Sequence, residues 1–264
     1  MLRIYIPTRG RVEKQITLRS LPKELWAQTW LVCPADEADS LKKLHKKVLV
    51  QPDHITTIAA KREWIVKQHK GDKLIMLDDD CGFYARGRSG LLKEYATDSV
   101  IVGLFTWVED MLDTYAHVGV SSRMGNNRVE EDVKRTTRMM HAIAYHVPTM
   151  KRVVEFNRVA MREDFDYTLQ LLKAGYDNVV RYDVCVAPGS YGAKGGCADE
   201  RTVQKSDIEA DKLAALHPGL VKVVQKNYLG VPRKEVVVQW KKALGHGQPI
   251  SGTAAIRNGK LTRR

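Results

Sequence analysis

Three consecutive carboxylates, Asp78-Asp79-Asp80, close the apolar run Lys73-Leu74-Ile75-Met76-Leu77 and are followed by Cys81-Gly82. Like charges this close repel, so folding alone would not favour them. A divalent cation, Mn²⁺ or Mg²⁺, relieves the repulsion through oxygen ligands and can bridge to substrate phosphates. A solvated acidic turn after a strand would carry the same residues. A second cluster, Glu163-Asp164-Phe165-Asp166, offers carboxylates for proton abstraction. Acidic residues also gather in first helical turns for dipole reasons alone. A third segment, Thr8-Arg9-Gly10-Arg11, follows Pro7 directly. Its two guanidiniums suit phosphate or nucleobase contact, because arginine offers paired planar donors. The fourth segment, Gly189 to Cys197, sets Lys194 among four glycines. Both a lid that touches an anionic ligand and a plain surface loop fit that composition. It is not a Walker loop: no Gly-Lys-Ser/Thr follows and no helix starts at its end.

These residues need elements to position them. Leu2 to Pro7, Trp30 to Pro34, Val48 to Pro52 and Lys73 to Leu77 read as strands, the first three closing on prolines. Ala35 to Lys47 reads as a helix with acidic residues early and lysines late. Thr56 or Thr57 caps a second helix that runs to His69 or Lys70 and carries Lys61 and Arg62 in its first turns. With Leu18 to Leu25 as a further helix or turn carrying Pro22, between the first two strands, the order β-α-β-α-β-α-β predicts a doubly wound half, whose parallel strands deliver ligands at their C-terminal ends.

Gly82 to Lys93 reads as a flexible basic connection with Arg86 and Arg88, and Asp98 to Tyr115 as an apolar helix. His117 to Val120 is a strand, Ser121 to Arg128 a polar loop suited to acceptor contact, and Arg138 to Val147 a strand. His141 and His146 are expected to pack or to lie at the surface there. Glu163 opens a helix with Phe165, Leu169, Leu172 and Ala174 at helical spacing, stopped by Gly175. Val179 to Val186 and Val221 to Gln225 read as strands, Thr202 to Leu216 as a helix, and Val236 to Lys242 as a last strand. Residues 1–244 are expected to form a single domain, and 245–264 a basic flexible tail.

A formal charge of +12 over 264 residues favours a polyanionic partner, nucleic acid above all, or anionic substrates such as nucleoside diphosphates. The longest apolar-rich stretch, Val100 to Val108, is too short for a bilayer, and Met1-Leu2-Arg3-Ile4 shows no signal-peptide pattern. Cys33, Cys81, Cys185 and Cys197 form no Cys-x-x-Cys pair. They read as reduced thiols, and the expected compartment is the cytoplasm.

Taken together the motifs resemble a glycosyltransferase of the GT-A fold: α/β, Rossmann-like, with a mixed, mostly parallel sheet flanked by helices. The match rests on Pro7-Thr8-Arg9-Gly10-Arg11, on Leu74 to Asp80 as a strand closing on an Asp-x-Asp motif, and on Glu163 to Tyr176. This last stretch is similar to the Glu-Asp helix of family 2 transferases. Gly195-Gly196-Cys197, His217-Pro218-Gly219 and Val238 to Lys242 are similar to a narrower group. That group is the phage-associated transferases that accompany TET/JBP-type thymine or cytosine hydroxylases.

The resemblance implies a nucleotide-sugar donor, most simply UDP-linked, held by Pro7, Thr8, Arg9, Arg11, Arg62, Asp78, Asp79 and Lys194. It implies Mn²⁺ or Mg²⁺ on Asp80, shared by Asp78. Asp164 would be the general base, with Glu163 second. The acceptor would be a 5-hydroxymethylpyrimidine in phage DNA, 5-hydroxymethylcytosine first, with Arg86, Arg88, Arg123 and Arg128 on its phosphates. The rival readings are a transferase acting on a carbohydrate, a two-metal nuclease or nucleotidyltransferase on Asp78, Asp80 and Asp164, and a DNA-binding module. A phosphatase of the haloacid-dehalogenase type is disfavoured by Cys81-Gly82.

Overall fold

The computed structural model describes residues 1–87, 92–124, 126, 129–189, 202–228, 230–246, 254–257 and 260–263, with backbone alone at 92–93, 228, 254–257 and 260–263. The first half alternates strands and helices: β1 (Arg3–Pro7), α1 (Ile16–Ser20), β2 (Thr29–Cys33), α2 (Ala35–Leu44), β3 (Val48–Val50), α3 (Ile58–Gln68) and β4 (Lys73–Leu77). These four strands run parallel in the order β3-β2-β1-β4, with Ile4 beside Thr29 on one side and Ile75 on the other.

The chain continues with β5 (Cys81–Arg86), β6 (Leu92–Tyr95), α4 (Asp98–Met111), β7 (His117–Ser122), β8 (Val133–Arg135), β9 (Ala142–His146), α5 (Val147–Val153), α6 (Glu163–Lys173) and β10 (Asn178–Pro188). They extend the same sheet as β4-β9-β7-β10-β5-β6, with β8 on β10. β9 is antiparallel to both neighbours, whereas β7 and β10 pair in parallel. Last come α7 (Val203–Leu216), β11 (Val221–Tyr228), β12 (Val231–Val238), α8 (Trp240–Ala243) and a hairpin of β13 (Ala254–Arg257) and β14 (Lys260–Arg263).

Successive strand residues point to opposite faces, and both faces of this sheet are covered. Ile4, Ile6, Ile75 and Leu77 pack with Leu18 of α1, Leu41 of α2 and Phe105 of α4. Tyr5, Leu74 and Met76 pack on the other side with Ile65 of α3, Met150 of α5 and Tyr167 of α6. A third cluster joins Leu169 and Leu172 of α6 to Leu213 of α7, Val221 of β11 and Ala243 of α8. α6 is therefore buried on two sides.

Local signals account for the element ends. Thr57 caps α3 by accepting from Ala60 N–H at 3.2 Å. Gly175, at φ 89°, stops α6 with paired bonds from Gly175 N–H to Leu172 C=O and from Tyr176 N–H to Leu171 C=O.

Four stretches depart from the sequence expectation. Gly82 to Lys93 contains the β5–β6 hairpin, because Cys81 and Phe83 alternate into the core while β5 pairs with β10. The strand expected over Arg138 to Val147 is confined to β9. His141 sits at φ 64°, which a strand cannot continue through, and Val147-Pro148 opens α5. The last strand ends at Val238, and Trp240 begins the short helix α8, with Trp240 edge-on to Phe165 at 5.3 Å. The C-terminal residues, where the sequence shows little periodicity, hold the β13–β14 hairpin. Arg88, Arg128, Lys194 and the Gly195-Gly196-Cys197 motif lie outside the described residues.

Candidate active site

The Asp triplet sits where β4 leaves the sheet, and its backbone is fixed first. Thr17 of α1 donates its hydroxyl to the Asp78 carbonyl at 2.5 Å, accepts from Cys81 N–H at 2.8 Å, and sends its own N–H to the Asp79 carbonyl at 3.2 Å. His141 closes the other side: Asp78 N–H donates to its carbonyl at 2.8 Å, and its Nδ1 lies 2.7 Å from Asp78 Oδ2. The left-handed backbone at His141 lets one residue meet Asp78 with both its carbonyl and its ring.

Each carboxylate then has a separate environment. Asp79 is buried, accepting from Thr8 Oγ1 at 2.7 Å and Arg11 Nη1 at 2.5 Å. Burial pushes its pKa up against the pull of those two donors. Gln15, fully buried, donates to Thr8 Oγ1 at 2.8 Å and to the Arg11 carbonyl at 2.9 Å. Lys61 donates to the Thr8 carbonyl at 2.9 Å. Asp79 thus fastens the loop after β1 to the end of β4. Asp80 is more open and lies 3.0 Å from Arg11 Nη1. Its carbonyl accepts Gly189 N–H at 2.8 Å, which ties the start of the glycine-rich segment to the triplet. Arg9 is exposed and reaches the Thr56 carbonyl at 3.3 Å.

Arg62 joins the triplet to the second acidic cluster. Its Nη2 is 3.0 Å from Asp78 Oδ1 and its Nη1 is 2.9 Å from Glu163 Oε1. Burial alone would lower the guanidinium pKa, but the Glu163 and Asp78 charges outweigh it and raise it. Glu163 is buried too. Burial pushes its carboxyl up to about 7 even with Arg62 alongside. Asp164, the next residue, is only partly buried, and its Oδ1 accepts the N–H of Phe165 at 3.0 Å. Its charge acts on Arg62, Glu163 and Tyr145, so it belongs to the same pocket of charge.

One guanidinium therefore gathers carboxylates that are 85 residues apart in the chain. Replacing it by methionine is expected to leave Glu163 buried without its cation and to cost about 3–5 kcal/mol of stability. A urea midpoint measured at pH 8 reads the loss. The deficit should shrink toward pH 5, where Glu163 takes up a proton, and Glu163→Gln added to Arg62→Met should recover part of it.

The fourth acidic residue, Asp166, does other work. It is fully buried and accepts from His217 Nε2 at 2.7 Å, from Gln170 Nε2 at 2.9 Å and from Arg158. Burial raises its pKa, but the bonds from His217 and Arg158 prevail and hold it below the usual carboxylate range. Arg162, at φ 64°, donates to the Ser206 carbonyl at 2.8 Å and to Ser206 Oγ at 3.0 Å. The turn into α6 is clamped to α7 in this way.

Sequence reasoning passed over Gln15 and Thr17 and set His141 aside. Gln15 and Thr17 lie in an aperiodic stretch; the fold brings Thr17 to Asp78, 61 positions away, and turns the loop after β1 back onto Gln15. A histidine just before a strand, in a chain segment returning to β4, was the one available signal for His141.

Asp78 and Asp80 offer partly exposed hard oxygen donors of the kind Mn²⁺ and Mg²⁺ take. Among the described residues no group of three His, Cys, Asp or Glu side chains is arranged to hold an ion. The fit is to a cation that takes one or two protein carboxylates and completes its shell with water and phosphate oxygens. Among the described residues no helix is long and apolar enough to cross a membrane.

A family model described as TET-associated glycosyltransferase matches residues 2–196. Among solved structures the chain is similar to the mannosyltransferase PcManGT from Pyrobaculum calidifontis, in complex with GDP-Man and Mn²⁺. The TM-score is 0.55 at 13% identity, over 83% of this chain and 64% of that one. It is also similar to glucosyl-3-phosphoglycerate synthase from Mycobacterium tuberculosis, in complex with Mn²⁺, UDP and glucosyl-3-phosphoglycerate. There the TM-score is 0.52 at 8% identity, over 90% and 87% of the two chains. For TarS 1–349 of S. aureus the TM-score is 0.47 at 13% identity, over 81% and 65%. The chain thus spans just under two thirds of the mannosyltransferase and of TarS. A comparison with curated proteins finds no match. At these identities the first two structures establish the architecture, which is the GT-A fold.

Proposed function

Because the chain belongs to the TET-associated glycosyltransferase family, we propose that it transfers a sugar from a UDP-sugar to the hydroxymethyl group of a 5-hydroxymethylpyrimidine in phage DNA. 5-Hydroxymethylcytosine is the foremost acceptor, and the reaction takes place in the cytoplasm of the host cell. The observation that supports this reading is the Arg62 bridge between Asp78 and Glu163, the neighbour of Asp164. The charge of +12 suits a DNA acceptor. The structures of the mannosyltransferase and the synthase name Mn²⁺ beside a nucleotide or nucleotide-sugar.

In this reading the donor lies across the C-terminal ends of β1 to β4. Arg9 and Arg11, on the loop that Asp79 holds, are assigned to its base and phosphates, and Lys194, outside the described residues, is assigned to the diphosphate by its place in the sequence. Asp80, with Asp78, holds Mn²⁺ or Mg²⁺, which when bound neutralises charge that builds on the departing diphosphate. Asp78 is held by Arg62 and His141 and so presents a fixed edge to the ribose or the cation.

Asp164 takes the proton of the acceptor hydroxyl as its oxygen attacks the anomeric carbon in line, which predicts inversion at that carbon. Glu163 is turned onto Arg62 at 2.9 Å and orients rather than accepts. The target base reaches the site extruded from the duplex or single-stranded.

The test is incubation of the protein with Mn²⁺, a panel of UDP-sugars and DNA that contains 5-hydroxymethylcytosine or 5-hydroxymethyluracil. A mass gain of one hexose on the modified base is expected. Donor hydrolysis with no transfer to any DNA would move the acceptor to a carbohydrate.

A further inference from the structure

Directly after the Asp triplet, β5 carries alternating residues to two different places. Cys81 and Phe83 are buried in the core, whereas Gly82 and Tyr84 face the open side. The ring of Tyr84 stacks on Tyr95 of β6, with centroids 4.6 Å apart and planes 29° from parallel. The Arg123 guanidinium lies 4.2 Å over the Tyr84 ring. Arg123 follows β7, and its N–H donates to the Val186 carbonyl at 2.8 Å, in the β10 residue that pairs with Phe83.

Arg123, Tyr84 and Tyr95 thus form three layers, and the last is 75% exposed. A Cβ on Gly82 would lie 3.5 Å from the Tyr84 ring and 4.0 Å from that of Tyr95. Both rings therefore stand by Gly82, which is two residues, about 7 Å of extended strand, from Asp80. A hydrophobic core gains nothing from an aromatic ring held open to water, and two stacked rings backed by a guanidinium form a flat, cation-supported surface.

We propose that Tyr95, supported by Tyr84 and Arg123, is a stacking platform for a nucleobase of the acceptor strand, next to the one being modified. The inference rests on the reading of the acceptor as base-bearing nucleic acid. A nucleobase is the occupant that matches the surface: a π-face for the outer ring, and a phosphate chain for the positive charge. Arg86, on the same strand as Tyr84, is engaged by the backbone carbonyls of residues 129–131 and by the Asp132 carboxylate, and braces the hairpin rather than the ligand.

The experiment compares the full chain with Tyr95→Ala and Tyr95→Phe by fluorescence anisotropy. The probes are a labelled single-stranded oligonucleotide containing 5-hydroxymethylcytosine and an abasic strand of equal length, with UDP-glucose binding followed by calorimetry. The loss of one stacked base predicts a Kd raised tenfold or more for Tyr95→Ala on the base-bearing strand. Tyr95→Phe should bind within about twofold of the wild type, and the abasic strand should not distinguish the three proteins.

Equal binding of the base-bearing strand by Tyr95→Ala would overturn the platform, as would an equal loss on the abasic strand. A defect confined to UDP-glucose would do the same, by assigning the ring to the donor. If the wild type moves no sugar to DNA yet Tyr95→Ala loses the preference for bases, the platform stands and the acceptor assignment falls. If sugar reaches DNA and Tyr95→Ala binds it as the wild type does, the platform alone falls.

Discussion

Asp164→Asn is expected to end sugar transfer while leaving UDP-sugar binding within about twofold of the wild type. The substitution keeps the size of the side chain and removes its basicity. A hydroxymethyl oxygen is a weak nucleophile until its proton is leaving, so a positioned base supplies about 10²–10⁴-fold in rate. The drop should fall in kcat, because Asp164 is only partly buried and its structural contact is a bond to its own helix. Stability should change by less than 1 kcal/mol, and calorimetry with UDP-glucose beside a transfer assay separates the two effects. Transfer at the wild-type rate in Asp164→Asn would remove the general-base assignment. Glu163→Gln is a poor substitute for this test, since its carboxylate is committed to Arg62.

Asp80→Ala is expected to fail one step earlier. In the proposed donor site the variant would lose an oxygen for the cation, and it frees Arg11 from one of its two carboxylates. Charge neutralisation by a bound ion is worth several kcal/mol, so Mn²⁺-dependent UDP-sugar binding should weaken by a hundredfold or more. Titration of UDP-glucose with Mn²⁺ and then with EDTA reads this directly. A wild type whose donor affinity is indifferent to EDTA would remove the metal from the mechanism altogether. Asp79→Asn should behave differently. Its side chain is buried between Thr8 and Arg11, so the loss should be in stability and in the placement of the β1 loop.

The charged motifs were legible because residue type and strand-end position are local. The run Leu74 to Asp80 announces a buried strand with carboxylates at its exit, and Glu163 to Gly175 announces a helix with acid at its start. What those charges touch was not legible. Arg62 reads as a phosphate contact until the fold sets it between Asp78 and Glu163. Thr17 shows no pattern, because its partners come from the triplet and Cys81 after β4, and Gln15 shows none because its role depends on how the β1 loop turns back on it. The β5–β6 hairpin was hidden by Arg86, Gly87 and Arg88, whose composition suggested a loop. His141 escaped for the opposite reason: apolar alternation continued across it, and its positive φ leaves no mark in sequence.

The clamp on α6 bears on where this enzyme can be cut. The family match ends at residue 196, yet the helix that carries Glu163 and Asp164 rests on Leu213, Val221 and Ala243, and Asp166 takes its bond from His217. Trimming to the matched segment would bare Leu169 and Leu172 to water and leave a buried carboxylate without its imidazole. For expression, grafting or fusion, a shortened chain is expected to keep α6 in place only if it runs through Gly245, whose N–H bonds the Leu172 carbonyl at 2.8 Å.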